Sequence, residues 1–216
     1  TTPVQRMFEK PHRSVPRFEK QGLYTSFLFS PSRKSGLPLE KGGAAGLDAF
    51  YARWLPEYDL APLNRYMPGL TDEDFIIWQE GGRILAACAL LDDRRNKNYY
   101  LHGYHGVYRL LSKLPTRLLG YPAVPKVGQT VNNVSLSMLL FDPTVDTAGR
   151  VQFIRSASSF AKGHDVVMVG LAENDPTYQA FRRLRHVPYS SFLYTVDMGG
   201  EMKLGDRPIY LDVAYM

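Results

Sequence analysis

The sequence predicts an α/β (α+β) chain: a mixed, mostly antiparallel central sheet with helices on both faces. Three observations lead there. Short strings rich in β-branched and aromatic residues alternate with stretches whose apolar residues recur at spacings of three and four. Two of the strings flank Glu80-Gly81-Gly82-Arg83, and a Gly-Gly between β-rich runs signals a hairpin. A third, Val166-Val167-Met168-Val169, is continuously apolar, which suits a strand covered on both faces.

In chain order, Thr1 to Pro16 is basic and Pro-punctuated, with no apolar period. Leu23 to Phe29 reads as a strand. Ser30 to Gly46 holds Pro31, Gly36, Pro38, Gly42, Gly43 and Gly46 and reads as a linker or long loop. Leu47, Phe50, Tyr51, Trp54 and Leu55 repeat with helical spacing, and a second short helix is expected over Pro62 to Met67. The hairpin strands are Asp74 to Gln79 and Ile84 to Leu91. In the next stretch Val107, Leu110, Leu111, Leu114 and Leu118 fall on one helical face, with Pro115 as a breaker. A strand from Val131 to Phe141 stops at Asp142-Pro143. A helix over Val151 to Lys162 follows, capped by Asp146 or Thr147 and ended at Gly163. Asp165 to Ala172 is the apolar strand, Glu173 to about Arg185 a helix, and Tyr189 to Val196 and Pro208 to Tyr215 the last two strands. Residues 1–40 stand apart as an N-terminal segment, and 41–216 form a domain with an insertion at about 92–130. Tyr24-Thr25-Ser26-Phe27-Leu28-Phe29-Ser30 echoes Tyr189-Ser190-Ser191-Phe192-Leu193-Tyr194-Thr195. Chance similarity of two β-rich strings explains this; so would a tandem duplication, with the first copy the tail of a preceding domain.

Composition narrows the function. Among 216 residues the single cysteine, Cys88, excludes an internal disulfide and a thiolate zinc site, and reads as a buried small hydrophobe. The chain is too apolar for disorder, and no run is long enough for a membrane span. With no basic-then-apolar leader, a reducing cytoplasm is the expected location. Lys and Arg number 26 against 21 Asp and Glu, a formal charge of +5. This excess permits a polyanionic ligand such as a nucleotide but is no nucleic-acid footprint. His102 and His105, beside Tyr99, Tyr100, Tyr104 and Tyr108, suit an acceptor pocket or lid; with no third ligand nearby, no metal is expected.

The string Phe75-Ile76-Ile77-Trp78-Gln79-Glu80-Gly81-Gly82-Arg83-Ile84-Leu85-Ala86-Ala87-Cys88 resembles the second and third strands of the Gcn5-related N-acetyltransferase (GNAT) superfamily. Leu139-Leu140-Phe141-Asp142-Pro143 is similar to the end of its fourth strand, and Val166 to Pro176 to its fifth strand and the Asn-containing turn after it. Phe18-Glu19-Lys20-Gln21-Gly22-Leu23 resembles the string that ends the family's fourth helix. The resemblance covers about Leu47 to Met216. It implies transfer of an acyl group from acetyl-CoA or another acyl-CoA to a small-molecule or peptide amine. It also implies that the fourth and fifth strands splay around the pantetheine arm, with the pyrophosphate on the N–H groups that open the third helix. Leu139, Leu140, Phe141, Thr147, Ala148, Gly149, Arg150, Asn174 and Phe181 are then the acyl-CoA contacts.

The residues also depart from that pattern. The phosphate loop keeps Gly149 beside Ala148 but lacks the leading Arg or Gln, and Asp146 would repel phosphate unless it serves as an N-cap. The slot of the usual tyrosine acid falls on Phe181. Tyr178, one turn earlier, is a substitute acid or an aromatic of the helix core. Asn133, Ser135 and Ser137 share a strand face without a carboxylate, and Glu173 is the available base or a solvated turn residue. The alternative to an enzyme is a catalytically degenerate module of this fold serving binding or dimerisation, as a homodimer or half of a tandem protein. A third reading, transfer from aminoacyl-tRNA as in the Fem-like relatives, draws on the basic excess and the aromatic insertion.

Overall fold

A computed structural model of the chain describes residues 17–92, 94, 99–106, 109, 116–122, 125–197 and 204–213. Seven strands form one sheet: β1 (Arg17–Phe29), β2 (Leu39–Lys41), β3 (Phe75–Glu80), β4 (Arg83–Leu91), β5 (Asn133–Phe141), β6 (Val166–Ala172) and β7 (His186–Asp197). Their order is β2-β3-β4-β5-β6-β1-β7. Neighbours are antiparallel except β5 and β6, so the expected mixed, mostly antiparallel sheet is present. Helix α1 (Leu47–Trp54) covers one face; α2 (Thr147–Ser158) and α3 (Tyr178–Arg182) cover the other.

Alternation along the strands separates the two cores. Ile76 and Trp78 of β3 join Phe153, Ile154 and Phe181 beneath α2 and α3, whereas Phe75 and Ile77 join Leu47, Phe50 and Tyr51 of α1. β5 and β6 are buried at every position, the mark of strands covered on both faces. Gly81 and Gly82, with φ of 55° and 79°, make the two-residue turn between β3 and β4.

β1 is placed by tertiary pairing. Residues 17–29, which the sequence sets apart from the following domain, lie inside the sheet between β6 and β7. The two echoing strings pair with each other: Tyr24 faces Ser191, Thr25 faces Ser190 and Ser26 faces Tyr189. Thr25 and Ser190 hydrogen-bond through their hydroxyls at 2.9 Å, so similar strings meet about a local twofold. The string Phe18 to Leu23 ends no helix. It belongs to β1, and the register shifts between Lys20 and Gly22.

Several other expectations change. Ser30 to Gly46 is not a free linker: Ser32 and Gly36 donate backbone N–H groups to Ser158 and Ser156 of α2, and the chain then forms β2. Pro62 to Met67 forms no helix. The Asn64 side chain takes the Tyr66 N–H there at 2.9 Å, a local bond that competes with a helical ladder, and the buried Arg65 bonds Asp48 and Asp72 at 2.5 Å each. The helix expected over Val151 to Lys162 starts earlier, at Thr147, because Asp146 is its N-cap and accepts from Gly149 N–H at 2.8 Å. The helix expected from Glu173 shrinks to Tyr178–Arg182, since the Asp175 carboxylate takes Thr177 N–H in a preceding turn. Pro208 to Val213 makes one bridge, Ile209 with Asp59, instead of a strand, and residues 214–216 lie outside the described residues. Most of the expected helix over 107–119 also lies outside them; Thr116–Leu119 is a 3₁₀ turn. Among the described residues no helix is long and apolar enough to cross a membrane.

Gly170 of β6 shows how tightly β1 is seated. A Cβ there would fall 1.6 Å from the Tyr24 hydroxyl and 3.1 Å from Val213 Cβ. Gly170→Ala is expected to cost roughly 1–3 kcal/mol, the usual penalty of overpacking, read as a lower urea midpoint. An unchanged midpoint would show that Tyr24 does not pack on this backbone.

Candidate functional site

The site grows from β5. On one side this strand pairs with β6 at three positions only, Asn133↔Val166, Val134↔Val167 and Ser135↔Met168. Both strands continue, to Phe141 and Ala172, without pairing further, which leaves a gap between them. On the other side Ala89 faces Ser137 and Ala87 faces Leu140, so Met138 and Leu139 stand opposite the single residue Cys88. This is a β-bulge, and Met138 takes a left-handed φ of 51°. The Tyr51 hydroxyl donates to the Met138 carbonyl at 2.5 Å and helps hold that conformation.

The bulge frees the Met138 N–H from the ladder. It donates instead to Asp212 Oδ2 at 2.7 Å, while Ser137 Oγ donates to Oδ1 at the same distance. Tyr210 adds a long bond to Oδ2 at 3.4 Å. Asp212 is buried, so a carboxylate from the end of the described chain fills the gap on two convergent donors of β5. The segment carrying it is held by Asn174, which accepts from Ile209 N–H at 3.1 Å and donates to the Arg207 carbonyl at 3.4 Å. Pro208 and Tyr210 exchange backbone bonds with Asp59.

The opening turn of α2 follows β5 directly. Asp142 fixes the junction: it accepts from Thr144 N–H and hydroxyl at 3.0 and 2.6 Å and from Arg83 at 2.6 Å. Burial pushes its carboxyl upward, but the Thr144 bonds and Arg83 outweigh that and hold it below the ordinary carboxylate range. Arg150, a residue expected to face acyl-CoA, is buried and turns inward. It donates to the Val145 carbonyl and to Thr177 Oγ1, and its guanidinium lies 5.1 Å from the Phe141 ring centre. Gly149 packs against Val145 and Asp146. Of the first-turn candidates, Ala148 lines a cavity of about 450 Å³, where Lys34, Arg155 and Arg183 bring positive charge to the flank of α2. Leu139, Leu140 and Phe141 are core residues at the end of β5, and Phe181, fully buried under Phe27 and Phe29, offers no surface to a ligand.

Tyr178 and Glu173 do come together, lining one cavity of about 490 Å³ with Arg182 and His186. The Tyr178 hydroxyl shares a hydrogen bond with Thr25 Oγ1 at 3.1 Å, and its ring packs edge-on against Phe27. This cluster sits over β1 and β7. Among the described residues no hydrogen bond joins it to Met138 or Asp212. Sequence reasoning noted Ser137 only as one of three polar residues on a strand face and missed Asp212 altogether. The one signal was a lone carboxylate in the apolar run Ile209-Tyr210-Leu211-Asp212-Val213. His102 packs edge-on to Tyr100 at 4.9 Å, and the described residues hold no group of three His, Cys, Asp or Glu side chains placed for a metal ion. No protein-family model, curated protein or solved structure matches this chain.

The Asp142 junction predicts a pH effect. Its folded carboxyl is more acidic than an unfolded one, near pH 4. The stabilisation it supplies is therefore complete above about pH 4 and disappears as pH falls through the lower folded value. Asp142→Asn should lose roughly 1–3 kcal/mol at pH 7, and the gap from wild type should close towards pH 3. Urea midpoints at pH 7, 5 and 3 check this; a gap independent of pH would remove the charge from the explanation.

Proposed function

We propose that the chain is an acyltransferase of the GNAT type, moving an acyl group from acyl-CoA to an amine. The observation that carries this reading is the gap between β5 and β6, beside which the Met138 N–H has left the ladder and is held by the Asp212 carboxylate. A thioester carbonyl laid in the gap would accept from that N–H, and Ser137 would add a second donor as the oxygen becomes negative. The Asp212 carboxylate already rests on both donors, which supports their affinity for a negative oxygen. The amine nitrogen would attack the carbonyl carbon, form the C–N bond and release the thiolate as the C–S bond breaks. The proton lost by the amine goes to a base, and the thiolate takes one from an acid. Residues 207–213 must shift for the donor to enter.

The cations on the flank of α2 fit the phosphates of CoA. Lys34, Arg155 and Arg183 surround the cavity that Ala148 lines, and the helix start adds its own positive potential. Tyr178 and Glu173 stand off the gap, over β1, so an acid role for Tyr178 requires a donor thiolate placed towards Thr25. A second reading, a module of the same fold that binds without catalysing, is favoured by one observation: Asp212 closes the gap with buried, charge-assisted bonds.

Calorimetric titration with acetyl-CoA separates the two. Wild type should bind below millimolar concentration, and Ala148→Glu should weaken binding tenfold or more. That variant places a carboxylate among the proposed phosphate contacts while favouring the helix start, so folding is not at issue. Asp212→Asn, which keeps an acceptor but loses the charge, should bind more tightly than wild type. No binding to wild type or Asp212→Asn at millimolar acetyl-CoA would leave the non-catalytic reading. If transfer is observed, Tyr178→Phe should lower turnover without changing acetyl-CoA affinity; turnover equal to wild type would remove Tyr178 from the chemistry.

A further inference from the structure

A cavity of about 640 Å³ lies on the α1 face of the sheet, opposite α2 and α3. Tyr24, Leu28, Met168, Val187, Tyr189 and Val213 make it mostly apolar. Its size is that of small-molecule sites, roughly 300–1,000 Å³. None of the residues expected from the sequence to be catalytic or to contact acyl-CoA lines it.

Two features give the cavity a polarity. The Tyr24 side chain is buried, with the residue 3% exposed, and its hydroxyl has no hydrogen-bond partner among the described residues. A buried hydroxyl in that state is costly, and such exceptions in folded proteins call for an explanation. Burial first, then the negative charge of Asp212, raises the Tyr24 pKa well above the ordinary phenol range, so the group stays protonated. The hydroxyl lies directly over Gly170, whose missing side chain makes room for it on the β6 wall of the gap. Val213 forms the second connection: it lines the cavity, and its neighbour Asp212 sits in the gap. The apolar space is thus bounded by Tyr24, whose hydroxyl is buried against Gly170 without a partner among the described residues, and by Val213, with the Asp212 carboxylate one residue before it.

We propose that this cavity is an amine site, taking a primary amine on an aromatic or aliphatic body, and that it is the acceptor site of the proposed transfer. The body fills the apolar space, and the nitrogen end reaches Tyr24. The charge of Asp212 and the faces of Tyr24 and Tyr189 favour an ammonium. A carboxylate on the same body is disfavoured by the same charge, and a purely apolar molecule leaves Tyr24 unpaired. Location next to the gap makes the site an acceptor site; that part rests on the acyl-transfer reading.

The test is binding of 2-phenylethylamine to the full chain without any acyl donor, followed by calorimetry, with 3-phenylpropionate as the probe of equal body and opposite charge. The amine is expected to bind saturably, and the propionate at least tenfold more weakly. Ser191→Trp, at an exposed strand position lining the cavity, should fill it and weaken the amine tenfold or more without disturbing the fold. Tyr24→Phe should weaken the amine several-fold and leave the propionate unchanged. No saturable amine binding at millimolar concentration, equal affinity for the two probes, or an unaffected Ser191→Trp would each overturn the amine site. A chain that binds the amine but not acetyl-CoA would keep the site and refute the transfer; binding of acetyl-CoA alone would refute only the site.

Discussion

The left-handed turn of Met138 is the constraint on which the centre of the molecule depends. A non-glycine residue at φ 51° in a buried strand is unfavourable by about 1–2 kcal/mol, and it persists because both of its backbone groups are held from outside the ladder. Tyr51 of α1 takes the carbonyl and Asp212 takes the N–H. The bulge lets β5 keep its pairing with β4 while parting from β6. The gap and the two donors that hold Asp212 both lie beside it.

Several groups around the gap are arranged for this one strand. Asp142 and Arg83 fasten the end of β5 to the start of β4, and Thr144 completes the turn into α2. Arg150 carries the connection onward through Thr177 to Asp175, which ties the first turn of α2 to the approach to α3. These charges do structural work inside the fold, whereas Lys34, Arg155 and Arg183 line a cavity on the outer flank of α2. Positive charge therefore gathers on one side of the sheet. On the other side lie apolar walls, the Tyr24 hydroxyl and Asp212, a setting suited to a cation. The opposition of the two faces follows from strand alternation: Thr25, Phe27 and Phe29 point towards α2 and α3, while Tyr24, Ser26 and Leu28 point to the cavity.

What was legible in the residues was whatever depends on near neighbours. The β3–β4 hairpin follows from two adjacent glycines, β6 from an unbroken apolar run, and the start of α2 from one of two capping residues three or four positions ahead of Arg150. The candidate site was legible only in part. Tyr178 and Glu173 share a cavity, but the Tyr178 hydroxyl is taken by Thr25 from a strand about 150 positions earlier in the chain. Arg150 carries the charge expected beside a phosphate, yet its side chain folds back onto Val145 and Thr177, which no local pattern encodes. Pro62 to Met67 reads as a short helix, but the Asn64 side chain takes the Tyr66 N–H that a helical ladder would use.

The sequence by itself determined a mixed sheet between two helical layers, because burial periodicity and turn chemistry act over a few residues. Tertiary structure alone decided where β1 lies. Its echo of β7 was visible as a string, but its place between β6 and β7 depends on hydrogen bonds to residues more than 130 positions away. The same holds for Asp212. A lone carboxylate in an apolar run does not disclose its partner, because that partner is a backbone N–H freed by a bulge in a strand 74 residues earlier. A backbone donor has no residue type to read; only the folded chain shows that it has left the ladder for Asp212.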